Sequence, residues 1–280
     1  MKVLITGAGG QLGTDLINVM SGWEVVPLTR QQMDVAARDQ VLQAITTVEP
    51  DAIVHAGAWT AVDACESDPD RAFRSNALGS RHVAEAARLV GAHVLYVSTD
   101  YVFDGTATTP YTEWDEPNPQ SVYARSKLAG EHEVLAQLPG ATVVRTGWVC
   151  GVHGNNLVKT ILRLASENDR LSFVNDQLEC PTFTEDLSSM IRRLVVSRLP
   201  GIFHVTNQDP TTPFEFARAV LAAAGQDPER VSPVTTAGLR RPAPRPAYAV
   251  LDNAALRLQG IPLLDDWRIP LERTVKELVS

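Results

Sequence analysis

The sequence predicts an α/β fold whose first part is a doubly wound parallel sheet. Three observations support this class. Short apolar runs alternate with amphipathic stretches, as in chains of strand–helix–strand units. The runs IVHAG and LYVSTD stay apolar until their carboxyl ends, as buried parallel strands do. The first run ends at once in the glycine-rich stretch GAGGQLG.

The elements of the first half follow from these patterns. Apolar runs bounded by polar or turn residues predict five strands, at Lys2–Thr6, Glu24–Leu28, Ala52–His55, His93–Val97 and Thr142–Arg145. The amphipathic stretches between them predict four helices, at Gln11–Met20, Ala36–Thr47, Pro69–Val90 and Ser121–Leu138. Because each helix separates two strands, the strands are expected to run parallel.

Prolines interrupt the second half of the chain. Helices are expected at Glu185–Ser197, Phe214–Ala224 and Leu271–Val279, with a short strand Ile202–Val205. Residues 1–150 are therefore predicted to form one domain and 151–280 mainly a smaller α/β lobe, with segments that return to the first domain. The prolines of Arg240–Tyr248 exclude helix and predict an ordered extended segment.

Composition excludes several classes of protein. The 280 residues carry a net charge of −8 and no block of Lys or Arg, which argues against a nucleic-acid partner. No apolar run approaches the ~20 residues of a membrane span, and no signal peptide is expected at the N-terminus. The three cysteines fit neither a disulfide framework nor a zinc site, so a reducing, cytoplasmic location is predicted.

The glycine stretch has the context of a dinucleotide-binding turn. Gly7 would allow the tight turn, Gly10 the approach of a pyrophosphate, and Gly13 close packing of the helix on the sheet. The N-terminus of that helix would face the phosphates with free N–H groups. The spacing is GxxGxxG rather than GxGxxG, so the flanking strand and helix carry the prediction of a Rossmann domain in residues 1–150.

The second strand gives a hint about the cofactor. It ends in PLTRQQMD, where Arg30 stands in place of the acidic residue that binds the ribose of NAD. A guanidinium there favours NADPH, with NADH as the alternative, and a solvated surface arginine explains the residue nearly as well. Asp34 is expected near the adenine.

A second set of residues suggests proton chemistry. Tyr123 and Lys127 lie one helical turn apart and share a face. A lysine ammonium beside a phenol is expected to lower the pKa of the phenol, so that Tyr123 exchanges a proton with a substrate oxygen. The hydroxyl of Thr99, at the end of the fourth strand, would complete the relay. A tyrosine and lysine at this spacing are common by chance, and the glycine turn makes the combination specific.

These motifs resemble the extended short-chain dehydrogenase/reductase superfamily. GQLG, HAGAWTAVDACESD, STDYVFDG, YARSKLAGE, RTGWVCG and VNDQLECPTFTEDL resemble, more closely, the dTDP-4-dehydrorhamnose reductase family. The resemblance is dense from residue 1 to about 190 and thinner to the end. It implies that residues 151–280 mainly bind a sugar nucleotide.

The resemblance also implies roles for individual residues. The catalytic residues would be Thr99, Tyr123 and Lys127. The cofactor would contact Gly7, Gly10, Gln11, Leu12, Gly13, Arg30, Asp34, Val35, Ala58, Trp59, Thr60, Val97, Tyr123 and Lys127. The sugar nucleotide would contact Thr99, Asp100, Trp148, Asn156 and Gln177.

Some features leave alternatives open. Cys150, Glu179 and Cys180 replace residues usual in the family near the expected sugar pocket, which leaves the exact sugar undecided. Arg240, Arg241 and Arg245 would either contact phosphates or keep a proline-rich surface soluble. Some relatives bind Mg²⁺, for which the matching positions are Asp15, Glu185 and Glu277. Carboxylates on helix surfaces are common, and this favours the absence of a metal.

The resulting functional prediction is an NAD(P)H-dependent oxidoreductase. It would reduce the 4-keto group of dTDP-4-dehydro-6-deoxy-L-mannose to dTDP-L-rhamnose, in rhamnose biosynthesis, and a homodimer is considered. Alternatives are another dTDP-4-keto-6-deoxyhexose reductase, a sugar-nucleotide epimerase, or a non-catalytic nucleotide-binding regulatory subunit.

Overall fold

A computed structural model describes residues 1–239 and 241–280, so Arg240 lies outside the described residues. In the described parts of the chain the strands are β1 Lys2–Thr6, β2 Glu24–Leu28, β3 Ala52–His55, β4 His93–Thr99, β5 Thr142–Thr146, β6 Val149–Cys150, β7 Leu171–Val174, β8 Thr182–Phe183, β9 Gly201–His204 and β10 Val231–Val234. The α-helices are α1 Gln11–Val19, α2 Arg38–Val48, α3 Val62–Ser67, α4 Pro69–Phe73, α5 Gly79–Val90, α6 Val122–Gln137, α7 Leu157–Glu167, α8 Thr184–Ser197, α9 Pro213–Ala223, α10 Ala254–Leu258 and α11 Arg268–Val279.

The central sheet has six parallel strands in the order β2-β1-β3-β4-β5-β9. The predicted doubly wound sheet is therefore confirmed. The order reverses between β1 and β3, and sheets of this type bind ligands outside the carboxyl ends of the strands at such a switch point. The glycine turn after β1 opens at this place.

Two apolar layers cover the sheet. On one face, side chains of α1 and α8 pack on β1 and β3, with Leu16, Leu187 and Ile191 fully buried. On the other face, α2, α5 and α6 supply residues such as Ile45 and Val83. Continuous apolar strands are the consequence, because both faces of the sheet are covered.

The second half of the chain contributes to both parts of the molecule. The short strand predicted at Ile202–Val205 for the smaller lobe is β9, and it extends the central sheet by pairing with β5. The smaller lobe has its own core, in which Phe216 and Trp267 pack 5.4 Å apart between ring centroids. Its strands β7 and β10 form a separate parallel pair.

The helix predicted over Pro69–Val90 is interrupted. A π-helical turn, Arg74–Leu78, stands between α4 and α5. Asn76 lies in this turn and is buried, and its side chain bonds to the loop after β3 and to α6. Sequence periodicity could not predict this turn because it adds one residue to an otherwise continuous helical pattern.

Among the described residues, no helix has both the length and the apolar character needed to cross a membrane.

Candidate active site

A cavity of about 1260 Å³ lies along the carboxyl ends of β1 to β5, and we call it the active-site cavity. Its lining includes nearly all residues predicted for the cofactor and the substrate: Gly7, Gly10, Gln11, Leu12, Gly13, Arg30, Asp34, Val35, Ala58, Trp59, Thr60, Val97, Thr99, Asp100, Tyr123, Lys127, Trp148 and Gln177. Residues far apart in the chain thus meet in one cleft between the sheet and the smaller lobe.

The glycine turn forms one end of the cavity. Gly7 has φ of +71°, and a Cβ there would lie 2.8 Å from Gly57 Cα. A Cβ at Gly13 would lie 2.3 Å from the carbonyl oxygen of Gly7, so only glycine allows α1 to pack this closely. The backbone N–H groups at the start of α1 are left for an anionic ligand. This bare backbone beside a helix N-terminus fits the pyrophosphate of a dinucleotide.

Arg30 and Asp34 follow β2 and line the cavity where the adenosine was predicted to bind. Arg30 Nη2 is 3.6 Å from Asp34 Oδ2, and the Arg30 side chain is 65% exposed. Asp34 Oδ1 also accepts a hydrogen bond from Ala36 N at 3.0 Å. The exposed guanidinium is therefore held at the cavity edge by a carboxylate four residues later.

Helix α6 carries the proposed catalytic pair. It begins at Val122 because Ser121 Oγ accepts a hydrogen bond from Ala124 N at 3.2 Å. Glu66 Oε1 accepts a second one from Val122 N at 2.7 Å. Tyr123 and Lys127 consequently point from the first turns of α6 toward the end of β4.

Lys127 is held against β4. Its Nζ donates to Val97 O at 2.7 Å and lies 4.1 Å above the ring of Tyr96. Burial lowers the pKa of Lys127 to about 7, although the charge of Glu131 opposes this change. The ammonium group is therefore easily deprotonated in this protein.

The expectation of a lowered pKa for Tyr123 is wrong for this structure. Burial raises the pKa of Tyr123 above its ordinary value, and the Thr99 hydroxyl offsets only part of that effect. The physical reason is that Lys127 Nζ bonds to Val97 O on the strand and is itself poorly charged near neutral pH. Tyr123 is thus a protonated phenol, which suits a proton donor.

A buried ion pair between Arg145 and Glu131 lies near Lys127, and the charge of Glu131 favours the ammonium form of Lys127. Arg145 Nη2 donates to Glu131 Oε2 at 2.7 Å, and Arg145 Nε donates to Glu131 Oε1 at 3.0 Å. Ser98 Oγ donates to the same carboxylate. Both charged side chains are almost fully buried. Sequence reasoning missed this pair, since its members lie on a helix and a strand 14 positions apart.

Asn76 is a second group that sequence reasoning did not place. Its Nδ2 donates to Ser126 Oγ at 2.9 Å and to Trp59 O at 3.1 Å, and its Oδ1 accepts from Trp59 N at 2.7 Å. Ser126 Oγ in turn donates to Tyr123 O at 2.7 Å. The π-helical turn therefore connects the cofactor-lining loop to the helix of Tyr123.

Asp100, Trp148 and Gln177, which were predicted to contact the sugar nucleotide, also line the cavity. Trp148 has φ of +45°, which is rare for a bulky residue, and its ring packs 5.0 Å from that of Phe216. Strained backbone of this kind is typical of functional sites. Asp100 follows β4 and is buried, and burial raises its pKa to about 7.

Asn156, predicted to contact the sugar nucleotide, is placed differently. It is not among the residues that line the cavity. Its Oδ1 accepts from Lys159 N at 3.2 Å and caps α7, while its Nδ2 donates to Gln11 Oε1 at 2.6 Å. Gln11 Nε2 then donates to Val149 O at 2.9 Å. Asn156 therefore holds the side chain of Gln11, in the glycine turn, and does not line the cavity itself.

Three sequence departures were expected near the sugar. Of Cys150, Glu179 and Cys180, only Glu179 lines the cavity among the described residues. Cys150 is buried in the core of the smaller lobe. Cys180 is also buried, and burial raises the pKa of both thiols to about 12. The two cysteines are inert packing residues.

The predicted metal positions share a smaller cavity of about 310 Å³, lined by Asp15, Glu185 and Glu277. His153 Nε2 lies 3.5 Å from Asp15 Oδ1, and Arg273 Nη2 lies 3.4 Å from Glu185 Oε2. Within residues 1–239 and 241–280, no group of three or more metal-binding side chains is arranged to hold an ion. The three carboxylates share this cavity, the magnesium prediction stays a prediction, and no chemical step is assigned to a metal.

The fold and the cavity define a class of protein. The glycine turn and the helix of Tyr123 and Lys127 both lie at the carboxyl edge of the parallel sheet. This arrangement is that of Rossmann-fold NAD(P)-binding reductases of the extended short-chain type. The chain belongs to the dTDP-4-dehydrorhamnose reductase family, because the family model described as the RmlD substrate binding domain matches residues 1–280.

Individual relatives agree with this placement. The chain is 41% identical to a dTDP-4-dehydrorhamnose reductase of Mycobacterium tuberculosis strain H37Rv, over 96% of this chain and 91% of the relative. A crystal structure of a Bacillus anthracis dTDP-4-dehydrorhamnose reductase in complex with NADP is 38% identical, has a TM-score of 0.96, and covers 99% of each chain. A crystal structure of a dTDP-4-dehydrorhamnose reductase from Clostridium acetobutylicum is 39% identical, has a TM-score of 0.97, and covers 100% of each chain.

Proposed function

We propose that the protein reduces the 4-keto group of dTDP-4-dehydro-6-deoxy-L-mannose to dTDP-L-rhamnose, with NADPH as the reductant. The observation that carries the proposal is the meeting of Thr99, Tyr123 and Lys127 beside the glycine turn in one cavity. Relatives at about 40% identity over nearly the whole chain are dTDP-4-dehydrorhamnose reductases, and this supports the choice of substrate.

The residues of the chain divide the work between binding and proton transfer. The glycine turn and the start of α1 would hold the dinucleotide, whose reduced nicotinamide supplies the hydride for carbon 4. Tyr123 donates its phenolic proton to the ketone oxygen as charge develops there. Thr99 accepts from Tyr101 N at 3.3 Å and donates to Asp100 Oδ1 at 3.0 Å, so its hydroxyl is oriented beside Tyr123.

The cavity also supplies placement, which is the larger part of the catalysis in such reactions. Trp148 and Gln177 line the cavity and would contact the sugar. Because the cavity lies between the sheet and the smaller lobe, bound reactants would displace water from around the carbonyl. A hydride and a proton then add to the carbonyl and give the alcohol.

Product identification tests the proposal. The purified protein is incubated with the keto sugar nucleotide and NADPH, cofactor oxidation is followed by absorbance, and the product is examined by NMR. We expect stoichiometric oxidation of NADPH and the configuration of L-rhamnose at carbon 4. The opposite configuration would assign the chain to another 4-ketoreductase. Tightly retained cofactor with no net oxidation would instead indicate an epimerase.

The preference for NADPH rests on Arg30, since a guanidinium pairs well with a 2′-phosphate. We expect Arg30→Ala to raise the Michaelis constant for NADPH more than that for NADH. The loss should be about 1 kcal/mol, because the Arg30 side chain is 65% exposed and its interactions are screened. Both cofactors are measured on the wild type and the variant. An unchanged ratio of the two specificity constants would remove Arg30 from phosphate recognition.

A further inference from the structure

Glu179 adds a second buried carboxyl group to the wall that holds Asp100. Glu179 is 8% exposed, Asp100 is 2% exposed, and both line the active-site cavity. The backbone of Glu179 is fixed by an antiparallel bridge to Thr211, with N–H···O distances of 3.1 and 2.8 Å. Its side chain is therefore held toward the cavity by a rigid segment of the smaller lobe.

Among the described residues, neither carboxyl group forms a hydrogen bond to a cationic side chain. Burial raises the pKa of Glu179, and the negative charge of Asp100 raises it further. Arg245 has the larger cationic influence on Glu179, but its guanidinium is engaged by both oxygens of Asp63, at 2.7 and 2.8 Å. Arg241 adds a weaker influence from the cavity edge. Neither arginine forms a hydrogen bond to Glu179 within the described residues.

Asp100 has hydrogen-bonding capacity left over. Its Oδ1 accepts from the Thr99 hydroxyl, whereas its buried Oδ2 has no partner among the described residues. The absence of a side chain at Gly147 makes room for this carboxyl group, since a Cβ there would lie 2.0 Å from Oδ2. A buried carboxylate oxygen without a donor is uncommon, and this one belongs to a residue that lines the active-site cavity.

The chemistry of the pair selects the kind of ligand. Burial raises the pKa of both carboxyl groups, which favours the retention of a proton, so this wall offers a donor as well as several acceptors. A sugar hydroxyl needs both an acceptor and a donor, and it matches this set. A phosphate would be repelled by the remaining negative charge. The pair is therefore suited to the sugar ring and not to the diphosphate.

We propose that Glu179 is a specificity-determining residue that, together with Asp100, binds the hydroxyl group on the ring carbon next to the reacting carbonyl. Thr99 bonds to Asp100 and stands beside Tyr123. The carboxyl pair is therefore expected to lie next to the substrate carbonyl that Tyr123 protonates. In a 6-deoxy-4-keto sugar, carbon 5 carries a methyl group, which leaves the hydroxyl of carbon 3. This inference rests on the proposed function.

Calorimetric binding in the presence of NADP tests the inference without turnover. The ligands are dTDP, dTDP-L-rhamnose and 3-deoxy-dTDP-L-rhamnose, and the proteins are the wild type, Glu179→Ala and Glu179→Gln. Glu272→Gln, an exposed acid of α11, is the matched control. We expect Glu179→Ala to weaken dTDP-L-rhamnose by about ten- to hundredfold, and to leave dTDP and the 3-deoxy ligand unchanged. Glu179→Gln keeps part of the hydrogen bonding and should lose about tenfold or less.

The outcomes separate this inference from the proposed function. If the wild type binds dTDP-L-rhamnose no more tightly than dTDP, the proposed function fails and the inference fails with it. If the wild type prefers dTDP-L-rhamnose to the 3-deoxy ligand and both Glu179 variants keep that preference, only the role of Glu179 is overturned. Equal weakening of dTDP and dTDP-L-rhamnose would mark Glu179 as structural. Should Glu179→Ala not fold, an undiminished preference in Glu179→Gln overturns the inference by itself.

Discussion

The proposed proton donor of this site, Tyr123, is a buried phenol that stays protonated. Burial raises the pKa of Tyr123, and Lys127 is occupied by the carbonyl oxygen of Val97. A protonated phenol is ready to donate when the carbonyl oxygen gains charge, so a high pKa is consistent with its role. Proton transfer from Tyr123 therefore depends on the negative charge that develops on the substrate oxygen during the reaction.

We expect Tyr123→Phe to lose about 10²- to 10⁴-fold in turnover, which is the usual contribution of a general acid. Its affinity for NADPH should change little, because the hydroxyl is the only group removed. Turnover is measured by NADPH oxidation and affinity by fluorescence titration. Full turnover in the variant would contradict the role of Tyr123.

The lowered pKa of Lys127 predicts how the free energy of unfolding changes with pH. Its pKa is about 7 in the folded protein, against an ordinary value of 10.5 for a solvated lysine in the unfolded chain. Between these values the unfolded chain binds a proton that the native protein does not, so the free energy of unfolding rises with pH. The slope approaches about 1.4 kcal/mol per pH unit for one proton.

Urea unfolding of the wild type and Lys127→Met at several values between about pH 7.5 and 9.5 tests this slope. Groups other than Lys127 titrate in both proteins, so they cancel in the difference. We expect the wild-type stability to rise relative to that of the variant as pH increases. Parallel curves would show that Lys127 keeps its ordinary pKa.

Among the elements, the π-helical turn Arg74–Leu78 is the one that organises the site. Its Asn76 joins the loop at Trp59 to Ser126 of α6, and Ser126 holds the backbone of Tyr123. Irregular turns of this kind often occur at functional sites, because they aim a side chain that a regular helix would misplace.

We expect Asn76→Ala to cost about 2–3 kcal/mol of stability, since a buried side chain loses three hydrogen bonds. The specificity constant should also fall, because Trp59 and Tyr123 lose a shared anchor. Urea unfolding and steady-state kinetics measure the two effects. Asn18→Ala, an exposed asparagine of α1, is the control and should show neither loss. Equal stability of the two variants would remove Asn76 from its anchoring role.

For the whole molecule, the important contact is the one that ties the C-terminal segment to the nucleotide-binding part. Asp63, in α3, binds both Arg245 and the backbone N–H of Ala243 at 3.1 Å. This contact holds Ala243 and Arg245 against α3, and Leu239 and Arg241 line the active-site cavity. Arg245 is thereby a structural residue.

A double-mutant cycle of Asp63→Ala and Arg245→Ala measures this contact. We expect a coupling of about 1 kcal/mol in the free energy of unfolding, because Asp63 is partly exposed and the pair is screened. The Michaelis constant for the sugar nucleotide should rise in the single variants, while NADPH affinity is retained. Strictly additive single effects would show that the two side chains do not interact.

The features of this protein that depend on local pattern could be predicted from the sequence. The turn at Gly7 and Gly13, the five strands of the first half and the spacing of Tyr123 and Lys127 are all readable, because they express backbone freedom or periodicity within a few residues. Motif resemblance added the reductase family, which the family model confirms.

Only the tertiary structure decided the features that depend on burial and on distant partners. The Arg145–Glu131 pair, the anchoring by Asn76 and the contact of Arg245 with Asp63 join segments that no local pattern connects. The pKa of Tyr123 was predicted in the wrong direction for the same reason. A neighbour at helical spacing can be read from the chain, but the free energy of an ionised group depends on how much water the whole fold removes from it.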